Sequence, residues 1–155
     1  MKSHSRYAKK LDRKRVLICL IVFFALLPVF SYLHEAGHAL VCIADGNEAE
    51  ISVNFSGGTT LCHGDVSNQF AYKISGGLLA GIIGTTIGIT LFRWKIPFIA
   101  LTTIGVGHLV NAGIEAFGDS YFTHGVEWSL FLGFIEFVTF FSLLLIFDRK
   151  TQYEK

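Results

Sequence analysis

From Val16 to Leu33 the chain runs eighteen residues without a charge, and only Pro28 and Ser31 interrupt the hydrophobic side chains. An uncharged apolar run of about 18 residues or more is long enough to cross the hydrocarbon core of a bilayer as a helix. Composition agrees: 52% of residues are hydrophobic and 16% charged, against roughly 25% charged in a soluble domain. The run is longer than the ~7–15-residue core of a cleaved leader and no clear small-x-small site follows it. It continues directly into His34-Glu35-Ala36-Gly37-His38, so a retained membrane span is expected.

Three further spans are expected, giving an all-α polytopic membrane protein in a single domain with spans at about 16–44, 72–92, 96–115 and 128–147. Asp45-Gly46-Asn47 breaks the first. Between the first and second spans, Glu50–Phe55 and Thr59–His63 alternate on either side of Ser56-Gly57-Gly58, which predicts a small β-hairpin that must pack on the helices to be stable. The second span carries Gly77-x3-Gly81 and Gly84-x3-Gly88, small-residue pairs that let helix backbones approach closely. Arg93, Trp94 and Lys95 end it at an interface.

Orientation follows from the cations. With four spans and a cytoplasmic N-terminus, segments 1–15, 93–95 and 148–155 hold 12 of the 13 Lys and Arg residues, and only Lys73 lies outside them. That bias puts both termini in the cytoplasm, with a prokaryotic plasma membrane as the assumed setting. The net charge of +1 gives no reason to expect a nucleic-acid partner. Cys19, Cys42 and Cys62 are too few and too scattered to suggest a disulfide framework, and Cys19 reads as an apolar filler.

His34 and His38 stand four apart and so share one helix face. This spacing lets two imidazoles grip one zinc ion, while Glu35 can act as general base toward water activated by the metal. An H-E-x-x-H pattern on a soluble helix is often a solvated face. Within a membrane span, however, each ionisable group costs ~2.5–3.5 kcal/mol and marks function. Ala36 and Gly37 leave room for a substrate backbone or a neighbouring helix. A third protein ligand is to be sought among Asp119, Glu115, His124, His108, His63 and Cys62. Depth favours Asp119: His34 lies about 27 Å beyond Val16, and Asp119 lies 23 residues past Ile96 on an outward-going span. On a continuous helix Glu115 would share a face with His108, Asn111 and Asp119, and can replace Asp119 as ligand. A hydrogen-bonded core cluster is the plainer reading of His108 and Glu115. Glu136, an acid within the fourth span, reads as paired with another polar group or protonated. Pro28 is expected to kink the first helix and open a water path.

His34-Glu35-Ala36-Gly37-His38-Ala39-Leu40 resembles the H-E-x-G-H-A-L signature of site-2 protease-type intramembrane zinc metalloproteases. That family carries a later N-x2-P-x4-D-G motif, and Asn111 and Asp119 stand at its spacing, with Ile114 and Ser120 in place of its proline and glycine. The resemblance covers about residues 25–122. It implies one catalytic zinc ion held by His34, His38 and Asp119, with Glu35 as general base and then acid. It implies that Asn111 organises the site or binds substrate backbone, and that the substrate is a transmembrane or membrane-proximal segment of another protein. A metal-binding or transport protein using the same ligands, and a non-catalytic pseudoprotease scaffold, are the alternatives. The hairpin is a candidate edge for pairing with an extended substrate.

Overall fold

A computed structural model describes residues 13–54, 57–117 and 125–150, the side chains of 125, 126 and 148–150 excepted. Its elements follow one another as α1 (Arg13–Ala44), β1 (Glu48–Asn54), β2 (Gly57–His63), α2 (Gln69–Thr90), α3 (Lys95–Phe117) and α4 (Gly125–Lys150). All four helices are long and apolar enough to cross a membrane.

Helix α1 takes 32 residues, including the whole of His34–His38, and keeps Pro28 inside it. Proline has no N–H to give to the carbonyl one turn earlier, so the Phe24 carbonyl loses its helical donor. The helix stops at Gly46, whose φ of +84° is a left-handed conformation that glycine adopts without steric cost. The chain then turns back, held by Asp45, whose carboxylate accepts from Ser67 N at 2.8 Å and Ser67 Oγ at 2.7 Å. Asn68 caps α2 by accepting from Ala71 N at 2.9 Å, a standard N-cap bond.

Strands β1 and β2 pair antiparallel from Glu48↔His63 to Asn54↔Gly57. The predicted hairpin is therefore present, with β1 starting two residues earlier than alternation suggested and β2 taking in Gly57 and Gly58, which were read as turn; Phe55 and Ser56 lie outside the described residues. Its inward residues are Ala49, Ile51 and Val53 on β1 and Gly58, Thr60 and Cys62 on β2. The period-2 pleat turns this face toward α1. A covalent tie adds to the packing, because Cys42 near the end of α1 is disulfide-bonded to Cys62. This corrects the sequence expectation: two cysteines twenty positions apart carry no spacing signal, and only the folding-back of β2 brings them together. Cys19 is free and lies fully buried in an apolar cluster with Phe98, Ile99, Phe140, Leu144 and Phe147, as a filler would. Closing a loop of this size stabilises by about 3 kcal/mol in the chain-entropy treatment. Replacing Cys42 and Cys62 together with serine should leave helix content unchanged by circular dichroism. Protease cleavage within 48–63 should speed up about tenfold or more, as expected when a docked hairpin loses a tether of that strength.

Helices α2 and α3 pack closest, and glycine is the reason. A Cβ on Gly77 would overlap the His108 carbonyl, and one on Gly81 would come 2.6 Å from Leu109 Cγ. Gly84 approaches Gly105 in the same way, and Gly88 approaches Thr102. The pairings descend α3 as they ascend α2, so the two helices are antiparallel. Both glycine pairs thus serve helix packing. Helix α1 crosses α2 at Gly37, where an added Cβ would overlap the Ser75 carbonyl and lie 2.7 Å from Gly76 Cα. Of the two uses the small residues of the motif could have, Gly37 has the second, admitting a neighbouring helix. Helix α4 packs on α3 and meets α1 through Phe140, whose ring centroid is 5.9 Å from that of Phe23.

Candidate metal centre

Three elements converge near one end of the bundle. His34 and His38 sit one turn apart on α1, Glu115 comes from the last turns of α3, and the inward face of the hairpin covers Glu35. One ligand atom from each of His34, His38 and Glu115 lies within 4.8 Å of the others. His34 Nε2 is 3.1 Å from His38 Nε2 and 3.3 Å from Glu115 Oε1, and His38 Nε2 is 3.7 Å from Glu115 Oε2. Donors bound at about 2.0–2.1 Å to a small tetrahedral ion are about 3.3–3.4 Å apart. The His34–His38 and His34–Glu115 Oε1 separations lie near that value, while His38 faces the other carboxylate oxygen at 3.7 Å, so the group has about the size of three corners of a tetrahedral site.

The surrounding contacts select the donor atoms. His38 Nδ1 lies 2.7 Å from the Tyr72 carbonyl. A carbonyl only accepts, so Nδ1 carries the proton and Nε2 presents its lone pair to the group. His34 directs Nε2 inward and places Nδ1 3.3 Å from Nδ1 of His108, so His108 can accept the outer proton and hold the ring. Asn111, one turn before Glu115, donates through Nδ2 to Glu115 Oε1 at 3.0 Å. Glu115 Oε2 is buried with no hydrogen-bond partner. Two facing nitrogens and an unmatched carboxylate oxygen are what a cation would satisfy, and the donor set therefore fits a metal.

Glu35 points into the hairpin. Thr60 Oγ1 lies 2.8 Å from Glu35 Oε2 and 2.9 Å from the Glu35 carbonyl, with one proton to donate between them. Gly58 makes room for the carboxylate: a Cβ there would overlap Glu35 Cγ and lie 2.9 Å from Oε1. Gly76 does the same for the histidines, since its Cβ would overlap His38 Nε2 and lie 2.8 Å from the His34 carbonyl. His34, Glu35 and His38 are all buried, yet they border a cavity of about 910 Å³ that also reaches Tyr72, His108, Asn111 and Glu136.

Of the residues singled out in the sequence, His34, Glu35, His38, Asn111 and Glu115 come together here. Asp119 and His124 lie outside the described residues. His63 faces Glu50 at 3.2 Å on the outer face of the hairpin, and Cys62 is occupied by its disulfide; neither joins the group. Glu115 lies against the histidine pair and accepts from Asn111. Thr60, Gly58 and the Tyr72 carbonyl were not read from the sequence. The strand alternation that puts residues 58, 60 and 62 on one face was the available signal for the first two. Comparison with protein-family models, with curated proteins and with solved structures returned no match.

Proposed function

We propose that this chain is an integral membrane zinc endopeptidase of the site-2 protease type, acting on a transmembrane or membrane-proximal segment of another protein. The observation that carries the reading is the His34–His38–Glu115 group with Glu35 beside it, in a chain with four helices of membrane-spanning length. Two histidines, one carboxylate and an open corner form the ligand pattern of catalytic rather than structural zinc. Bound there, zinc would supply the Lewis acidity that polarises a peptide carbonyl and makes water acidic enough to deprotonate near neutral pH.

The chain's own groups supply the remaining chemistry. Glu35 accepts a proton from the attacking water as the water oxygen bonds to the carbonyl carbon. It returns that proton to the amine nitrogen as the C–N bond breaks. Thr60 and the bare backbone at Gly58 fix the carboxylate for both transfers, and Asn111 and the Tyr72 carbonyl fix Glu115 and His38. The disulfide supports an outward-facing site, since such bonds persist in oxidising compartments. The cation bias puts the same end of the bundle outside, with both termini in the cytoplasm.

The direct test uses purified protein in proteoliposomes with single-span substrates. Zinc is expected at one ion per chain, cleavage should stop on chelation, and added zinc should restore it. Cleavage that survives complete loss of metal would remove the assignment. A subtler prediction concerns Gly58→Ala, which intrudes on Glu35 and touches no ligand. It should retain zinc and lose cleavage by about 100-fold, the scale of a 1 Å misplacement of a reacting group. Parallel loss of zinc in that variant would contradict the separate roles given to hairpin and ligands.

A further inference from the structure

The cavity extends well beyond the chemistry. On α1 it is bordered by Phe24, Leu27, Pro28, Ser31, His34, Glu35 and His38, a single stripe at helical spacing. From Phe24 to His38 this stripe is about 21 Å long at ~1.5 Å per residue. The rest of its lining comes from the hairpin, from Tyr72 and Lys73 of α2, from α3, and from Glu136 of α4. Phe140, one turn further along α4, meets Phe23 of α1. The cleft thus holds the metal centre at the His34–His38 end of this stripe, and Glu136 is the acid that α4 brings to its lining.

The position of Glu136 is built. Its side chain lies across Gly107 of α3, where a Cβ would overlap Oε1 and lie 2.8 Å from Cγ and 3.0 Å from Cδ. Among the described residues it has no hydrogen-bond or ion-pair partner. It stands nine residues from Glu127 and twelve from Asp148, roughly 13–18 Å along the helix from either charged end. That is too far for a glutamate to snorkel to an interface. An acid held at such depth costs free energy and needs a partner, and the cavity it faces is where one can enter.

We propose that Glu136 is a specificity subsite that receives a basic side chain of the transmembrane segment bound in the α1–α4 cleft. The proposal rests on the peptidase reading for the nature of the occupant. It fixes a distance: Gly107, beside Glu136, is eight residues before Glu115 on α3, or about 12 Å. An extended chain covers that in three to four residues at ~3.3 Å each. The preferred lysine or arginine therefore lies three to four residues from the cleaved bond, on the side toward Phe23 and Phe140.

The test is a binding scan that needs no cleavage. Full-length Glu35→Gln protein in nanodiscs is titrated with labelled single-span peptides of leucine core, each carrying one lysine at a successive position. One register should bind about tenfold tighter than the all-leucine peptide, the factor one charge-assisted hydrogen bond supplies. Glu136→Gln, which keeps the shape and drops the charge, should lose the preference while retaining zinc, and Glu136→Lys should transfer it to peptides bearing aspartate at that register. Equal binding in every register would overturn the subsite, as would a preference that survives Glu136→Gln. Cleavage by the chain with native Glu35 is scored separately. A register preference without cleavage removes the peptidase and keeps the subsite, and cleavage with no preference does the reverse.

Discussion

Glu35→Gln is expected to lower cleavage of a transmembrane substrate by about 10³-fold, within the range for loss of a general base, while the purified protein keeps one zinc ion per chain. The substitution suits the geometry. Glu35 is outside the ligand group, and its Oε2 accepts from Thr60 Oγ1 at 2.8 Å, a bond the glutamine oxygen can preserve. The Gly58 gap that admits the carboxylate admits an amide of the same shape. Side-chain position and metal are thus retained, and only the capacity to take a proton from water is removed. Zinc is measured by mass spectrometry and cleavage by single-turnover kinetics, so binding and product release do not mask the chemical step. Unchanged cleavage would strip Glu35 of its role as base. A metal-binding or transport protein built on the same ligands would show unchanged metal flux in this variant, which separates that alternative from a peptidase.

The parts of this architecture that were legible in the sequence are those written in local pattern. The first helix declared itself through an uncharged run ending in a four-residue histidine spacing, and the hairpin through alternation about a glycine-rich turn. The glycine-rich second helix announced a close crossing, and Gly77, Gly81, Gly84 and Gly88 make it against α3. What escaped depends on long-range placement. Thr60 is one threonine among several until β2 folds over α1 and sets its hydroxyl beside Glu35. The Tyr72 carbonyl that orients His38 belongs to the backbone, which carries no residue-type signal at all. The Cys42–Cys62 bond needed the same folding-back of the hairpin. Glu136 was visible as an acid in an apolar span, but its outlook onto the cavity that reaches the metal centre emerges only when α4 docks on the bare backbone of Gly107.

The choice between Glu115 and Asp119 shows the same limit and leads to the second large effect. Spacing and depth pointed to Asp119, and resemblance implied it as ligand; Asp119 lies outside the described residues, and the described part of α3 brings Glu115 to 3.3 Å from His34 Nε2. Glu115 shares its helix face with Asn111, which donates to it, and with His108, which meets the outer nitrogen of His34. One turn of one helix thus supports both the carboxylate and the first imidazole, and we expect this arrangement to hold the metal. Zinc sites with four ligands bind with about 10–16 kcal/mol, or roughly 2.5–4 kcal/mol per ligand. Glu115→Ala should accordingly weaken zinc binding by about 10²–10³-fold and abolish cleavage, in line with His34→Ala and His38→Ala. Asn111→Ala removes a supporting bond and should weaken zinc by only about 10-fold, the lower end for orienting partners. With Glu115 as third ligand, Asp119→Ala should leave zinc affinity within about twofold, the effect of removing only a screened charge. Titration against a competing chelator measures all five on one scale. The reverse ranking, with Asp119→Ala losing metal and Glu115→Ala keeping it, would return the third position to Asp119 and leave Glu115 as a buried hydrogen-bonding acid.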